Sequence, residues 1–239
     1  MIPRIASSAA PKLDGKGVKV DDLGRLTGEW AEAVQNDNSG APLLIDNLII
    51  DVDAEAADGS PFRRWAAMHD GSYLYVLVIV DDNGDRHRDS GTSLAQDDSL
   101  ELFLDGDNSK STRYDDNDFH RLIPLQLAGK DRQAANSGDI AGPNSSRSPL
   151  GLKFTTGIGS GPKGLRRKNW EQDVYELRID LESAGIDTNA PIGFELQVND
   201  DDGGKNRESK WAWKHPSRAD RDVDGTVSNP ALMGTVVLE

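Results

Sequence analysis

The residues best suited to chemistry in this chain are carboxylates. In DRDVDG, Asp220, Asp222 and Asp224 alternate and Gly225 takes the sixth place, the arrangement a loop needs to curl around a hard cation such as Ca2+. The twelfth place is Ala231 rather than Glu, so an EF-hand is ruled out; the open alternatives are a calcium loop closed by a distant carboxylate and a solvated acidic turn. DGDNS repeats the alternate spacing with Asp105 and Asp107, and Asp115, Asp116 and Asp118 follow within reach. Asp81, Asp82, Asp200, Asp201 and Asp202 crowd the ends of apolar runs, where like charges repel unless a cation or solvent intervenes. The expected cofactor is structural Ca2+, with Asp220, Asp222, Asp224, Asp105, Asp107 and Asp116 as its candidate ligands.

Catalytic patterns are thin. The chain has no G-x-S-x-G elbow, no H-E-x-x-H and no Walker loop, and GIGSGPKG at 157–164 lacks P-loop spacing. His69, His87, His120 and His215 are scattered, which gives a nucleophile triad no support. Paired carboxylates of the glycosidase kind are so easily found in an acidic chain that the pattern carries no information. Zero cysteines remove disulfides, zinc-thiolate sites and thiol nucleophiles together.

Forty-one acidic against 27 basic residues give a net charge of -14, the wrong sign for a nucleic-acid backbone or an anionic membrane surface. No run of about 18 apolar residues exists to span a bilayer. The first residues, IPRIASSAAPKLDG, lack the order of a signal peptide. At 239 residues the chain is long enough to bury a sizeable core.

The elements that must position these groups read as strands. APLLIDNLIIDVDAE, FRRWAAMHD, SYLYVLVIVDD, SLELFLD, FHRLIPLQL, LKFTTGI, VYELRID, IGFELQVND, KWAWK and GTVVLE are β-branched or aromatic runs bounded by Asp, Gly and Pro. About ten strands and almost no helix-period segment predict an all-β fold, a sandwich of two mainly antiparallel sheets. HDGS predicts a tight hairpin turn, and GEWAEAV a short helical turn or extended segment carrying Trp30. The expected organisation is an extended N-terminal lead-in over 1–12 and a single domain over 13–239, with long surface loops over 128–150 and 157–172. Alternation then assigns faces. Leu100, Leu102 and Leu104 oppose Glu101 and Phe103; Phe194, Leu196 and Val198 oppose Glu195, Gln197 and Asn199. The polar side is either a solvated face or a floor on which Glu101, Arg121, Arg178 and Gln197 converge to hydrogen-bond a polar ligand.

The order of PKLDG, GEW, SYLYVLVIVDD, QDDSLELFLD, YDDNDFHRL, VYELRIDLESAGI, IGFELQVNDDD and MGTVVLE resembles the family 9 carbohydrate-binding modules, from about Pro11 to Glu239. The resemblance implies a calcium-binding β-sandwich that holds sugar ends without hydrolysing them, tethered to other domains of a longer, periplasmic or extracellular parent protein. It matches the family's polar sugar contacts to Glu101, Arg121 and Gln197. Its two clamping Trp positions fall at Leu94 or Ala95 and near Val227, so both walls are missing; Trp65, Trp170, Trp211 and Trp213 are the candidates to replace them, Trp170 in a polar loop being the better platform and Trp211 and Trp213, two apart on one strand face, reading alternatively as core filler. Two alternatives stay open: an extracytoplasmic sensory domain with an eroded sugar site, and a haem-binding sandwich using Met68, Met233 or a histidine as axial ligand.

Overall fold

A central strand of the four-stranded sheet is covered on both sides, and this explains why YLYVLVIV runs apolar without alternation. In the computed structural model, residues 1–16, 18–51, 62–82, 94–125, 151–162, 171–203, 207–216 and 229–239 are described. Twelve strands lie among them: β1 (Lys19–Val20), β2 (Leu26–Thr27), β3 (Asn47–Asp51), β4 (Arg63–His69), β5 (Tyr73–Asp82), β6 (Ser99–Asp105), β7 (Asp118–Pro124), β8 (Lys153–Gly157), β9 (Glu171–Asp180), β10 (Ile192–Asp200), β11 (Ser209–Ala212) and β12 (Gly234–Val236). The ten predicted strands all occur, and the two added are the two-residue β1 and β2. GEW forms a 3-10 turn, Gly28–Trp30, and no α-helix occurs among the described residues. The long-loop expectation over 128–150, and the part of the second over 163–170, lie outside the described residues; at the ends of the second, Gly157 closes β8 and Glu171 and Gln172 open β9, so that loop is shorter than expected.

All strand pairings are antiparallel. One sheet runs β4-β5-β9-β8, and the other runs β3-β11-β10-β6-β7 with β12 also paired to β10. Their facing sides bury the main core. Trp65, Val76, Val78, Tyr175 and Leu177 come from the first sheet, and Leu100, Leu102, Leu104, Phe194, Leu196, Trp211 and Trp213 from the second. The HDGS hairpin joins β4 to β5, with Gly71 at φ +90 and the Asp70 carboxylate accepting the N–H groups of Ser72 and Tyr73. An L side chain rarely adopts that φ, so the turn calls for glycine.

The outer side of the four-stranded sheet is covered by the N-terminal segment. Ile5, Val18, Leu26, Trp30 and Ala33 pack on Ala66, Met68, Tyr75, Leu77 and Val174. Glu176 of β9, on that side, accepts the N–H groups of Asp14 and Gly15 and the indole N–H of Trp30, which pins the PKLDG and GEW segments to the sheet. Residues 1–12 are therefore anchored at intervals, with Ile2, Ile5 and Pro11 buried between more exposed neighbours: Ile2 is 1% exposed in the main core, and its N–H donates to the Val237 carbonyl. Ile2→Ala is expected to destabilise the fold by about 2 kcal/mol or more, the usual cost of such a core truncation. Denaturant unfolding measures it, and an unchanged midpoint would mean the segment does not hold the sandwich.

Candidate functional site

The second side of the six-stranded sheet is polar and buried. Register places Glu101 opposite Gln197, Ser99 opposite Asn199, Phe103 opposite Glu195 and His120, and Asn199 opposite Lys210. Because side chains alternate, this whole set projects from one side of four adjacent strands. The expectation of a solvated face does not hold, since Glu101 is 1% exposed and Gln197, Asn199 and Lys210 are as deeply buried.

Glu101 is the hub. Its Oε1 accepts from Lys210 Nζ at 2.8 Å and Asn199 Nδ2 at 2.8 Å, and its Oε2 faces His120 Nε2 at 2.6 Å. Arg207 Nη1 stands 3.9 Å from Oε1 and donates to Asn199 Oδ1 and to the Ala95 carbonyl. Burial by itself would raise the Glu101 pKa, but the Lys210 charge and the His120 hydrogen bond outweigh it and hold the carboxyl well below its usual range. Glu101 is thus an ionised carboxylate inside the protein. The His120 ring lies flat on Phe103, with centroids 4.0 Å apart and planes 12° apart.

Three of the expected ligand contacts lie elsewhere. Arg121 pairs opposite Leu102, on the core side with Phe119, and its guanidinium donates to the His120 carbonyl. A one-residue step reverses a strand side chain, so His120 takes the place beside Glu101. Arg178 belongs to β9 in the other sheet, where its guanidinium lies 4.5 Å from the Tyr73 ring. Trp213 fills the core, edge-on to Trp65 at 4.8 Å and near Phe194. Trp211 is buried too, under the Arg63 guanidinium. Trp170 lies outside the described residues. Only Glu101 and Gln197 of the predicted floor are brought together; His120, Asn199, Lys210 and Arg207 were missed. Phase was the available signal, since Lys210 alternates with the apolar Trp211 and Trp213, and His120 with Phe119.

Asp105 ends β6 and Asp107 lies in the turn that follows it. Asp105 is buried and accepts the N–H groups of Ser109 and Lys110, while Asp107 accepts from Ser109 and from the Asn117 amide. Asp118 faces Asp105 across the β6–β7 pair and is pushed up to about 7 by burial, with the Asp105 and Asp115 charges adding. Asp116 is exposed at the turn. Among the described residues no three acidic or histidine side chains form a set able to hold a metal, including the buried strand-end groups Asp81, Asp97 and Asp201. Asp220, Asp222 and Asp224 lie outside the described residues. Of the residues considered as haem ligands, Met68 and His120 do not converge, since Met68 sits in the outer layer of one sheet and His120 on the far side of the other; His87 lies outside the described residues.

Glu195, next to Phe103 across the strands, fixes the approach to the site from β11. Its carboxylate accepts the N–H groups of Trp213, Lys214 and His215 in succession, clasping the turn that follows the strand. Burial pushes its pKa up to about 7, against the pull of those donors. A carboxyl whose folded pKa is raised favours folding fully below its unfolded value and loses that contribution as pH rises toward 7. Stability should therefore decline from about pH 4.5 to 7. Glu195→Gln should flatten part of that decline in a melting series, while costing about 1–3 kcal/mol for a backbone donor left unpaired. An unaltered slope would place the titration elsewhere.

Residues 38–239 match the sequence profile of carbohydrate family 9 binding domain-like proteins. The chain is 25% identical over 176 residues to exoglucanase XynX of Acetivibrio thermocellus, covering 72% of this chain and 13% of that protein. It is 25% identical over 172 residues to endo-1,4-beta-xylanase A of Thermoanaerobacterium saccharolyticum, covering 72% and 11%. It thus spans a small part of these relatives' length. Among solved structures, a family 9 carbohydrate-binding module of Caldicellulosiruptor kristjanssonii in complex with glucose superposes with a TM-score of 0.62 at 21% identity, over 100% of this chain and 95% of that one. The same organism's module with cellotriose gives 0.58 at 20% identity, over 100% and 93%. By its profile match and its fold, the chain belongs to the carbohydrate family 9 binding domain-like family, as a non-catalytic carbohydrate-binding module.

Proposed function

We propose that this domain recognises the ends of mono- or oligosaccharides for a longer, exported polypeptide that acts on polysaccharide. The observation that carries this reading is the ionised carboxylate of Glu101, buried with Gln197, Asn199, Lys210 and His120 on one side of a sheet. A ring of fixed donors and acceptors of this kind suits the paired hydroxyls of a sugar. The relatives' names are those of enzymes whose polymeric substrates are met outside a membrane, which supports an extracellular or periplasmic location. With no Trp at either expected clamp position, binding rests on hydrogen bonds, and a dissociation constant of roughly millimolar follows, near -4 kcal/mol.

Calorimetry with D-glucose and with cellotriose tests the reading. Weak saturable binding is expected, and silence up to tens of millimolar would turn the assignment toward the sensory reading. Arg121→Ala, on the core side of β7, should lower the melting temperature and leave the sugar signal in place.

Structural Ca2+ belongs to the same proposal, with Asp220, Asp222 and Asp224 as its ligands on the strength of their spacing. Asp105 and Asp107 spend their oxygens on backbone and amide donors and do not by themselves fit a cation. A chelator should lower stability by about 2.7 kcal/mol if free Ca2+ stood at 100 times its dissociation constant, and Asp222→Ala should reproduce most of the loss. A melting temperature indifferent to both chelator and added Ca2+ would remove the cation from the account.

A further inference from the structure

An amine, an amide and a carboxylate meet inside the polar cluster. Asn199 on β10 and Lys210 on β11 stand directly opposite in register, so their side chains leave the sheet side by side. Both end on one atom: Lys210 Nζ and Asn199 Nδ2 each donate to Glu101 Oε1 at 2.8 Å. The Asn199 amide is also held at its other positions, Nδ2 donating to Ser99 Oγ at 2.9 Å and Oδ1 accepting from Arg207 Nη1 at 2.8 Å. Lys210, Asn199 and Glu101 are each at most 1% exposed, and Lys210 Nζ stands 5.9 Å from the centre of the Phe103 ring. Groups fixed together in this way, with water excluded, react as parts of one molecule rather than as separate solutes. No ligand has to enter, because every reacting group belongs to the chain.

We propose that Lys210 and Asn199 are joined by an intramolecular isopeptide bond, with Glu101 carrying the protons and Arg207 polarising the amide. The resting state is the ion pair, and the first step passes a proton along the Nζ to Oε1 hydrogen bond, breaking Nζ–H and leaving an amine. The flexible lysine stem then brings Nζ to Cγ of Asn199. The Nζ–Cγ bond forms, and the carbonyl π pair moves onto Oδ1, where the Arg207 guanidinium already donates. As that pair re-forms the carbonyl, Cγ–Nδ2 breaks. A second Nζ proton and the proton held by Glu101 both go to Nδ2, which departs as ammonium. Glu101 is a carboxylate again, and nothing is oxidised or reduced. The product ties β10 to β11 covalently, as a disulfide does elsewhere, in a chain that has no cysteine. The inference does not rest on the sugar-binding reading.

The intact mass of the wild-type chain in denaturant tests it. The chain should be lighter than its sequence by one ammonia, and a proteolytic digest should yield a branched peptide joining Asn199 to Lys210. Lys210→Arg keeps a cation for Glu101 but supplies no amine, since a guanidinium does not give up its proton, and should show the full sequence mass. Glu101→Gln keeps the shape without the proton acceptor and should also show the full mass. A wild-type chain of full mass overturns the proposal, and so does an ammonia lost as a cyclic imide at an asparagine with Lys210 unmodified. A bond that persists in Glu101→Gln overturns the assignment of proton transfer to that carboxylate. The wild-type measurement decides even where both variants fail to fold, and it needs no sugar, so its outcome is separate from that of the binding experiments.

Discussion

A carboxylate charge deep in a protein is tolerated only where donors surround it, and the Glu101 charge sets the terms for the six-stranded sheet. Three strands besides its own supply those donors: His120 from β7, Asn199 from β10 and Lys210 from β11. Removing one member of such a set leaves the rest as uncompensated buried charge, at a cost of about 3–5 kcal/mol, whereas the intact set contributes little net stability over an apolar replacement. The cluster is therefore poorly explained as a device for stability. It is better explained as a device for geometry, because it holds the side chains of four strands in one fixed constellation.

The two sheets solve the problem of their second sides in opposite ways. The four-stranded sheet spends the N-terminal segment on apolar cover, with Glu176 as a single buried carboxylate that clamps the cover through two backbone N–H groups and one indole. Burial raises the pKa of Glu176, while in Glu101 the lysine charge reverses that effect. Two glutamates at equivalent depth thus differ in charge preference because one has neutral donors and the other a cation. The first arrangement closes a surface for good; the second leaves charged and polar groups aimed together.

The strands were legible because their period and their bounding turns are local properties, and SLELFLD coincides with β6 residue for residue. The N-terminal packing was not, since IPRIASSAAP has no period and gains its place only by meeting Leu238 and the outer side of β4 and β5. Site residues were legible one strand at a time. Glu101 and Gln197 follow from alternation within their own strands, but pairing Arg121 with them required the phase of β7 relative to β6, a long-range quantity. Motif matching favoured the arginine, and Phe119 anchored in the core puts the histidine on the polar side instead. Trp213 was open for a related reason: an aromatic reads alike as a stacking platform and as core filler until the side of the strand is known, and the core-filler reading is the one that holds.

The fate of the tryptophans decides what kind of recognition remains. Trp30, Trp65, Trp211 and Trp213 are all spent on packing, so among the described residues no indole is left to stack on a sugar, and the first expected clamp position falls on the 3-10 turn Leu94–Gln96. Phe103, the one aromatic ring on the polar side of β6, is already covered by His120. Stacking supplies most of the gross affinity in sugar sites, and hydrogen bonds exchanged against water return only about 0.5–1.5 kcal/mol each. What hydrogen bonds do supply is discrimination, since a hydroxyl that is absent or inverted leaves a buried partner unpaired. A site reduced to its polar floor, with that floor held rigid by a buried charge network, trades affinity for the ability to tell one arrangement of hydroxyls from another.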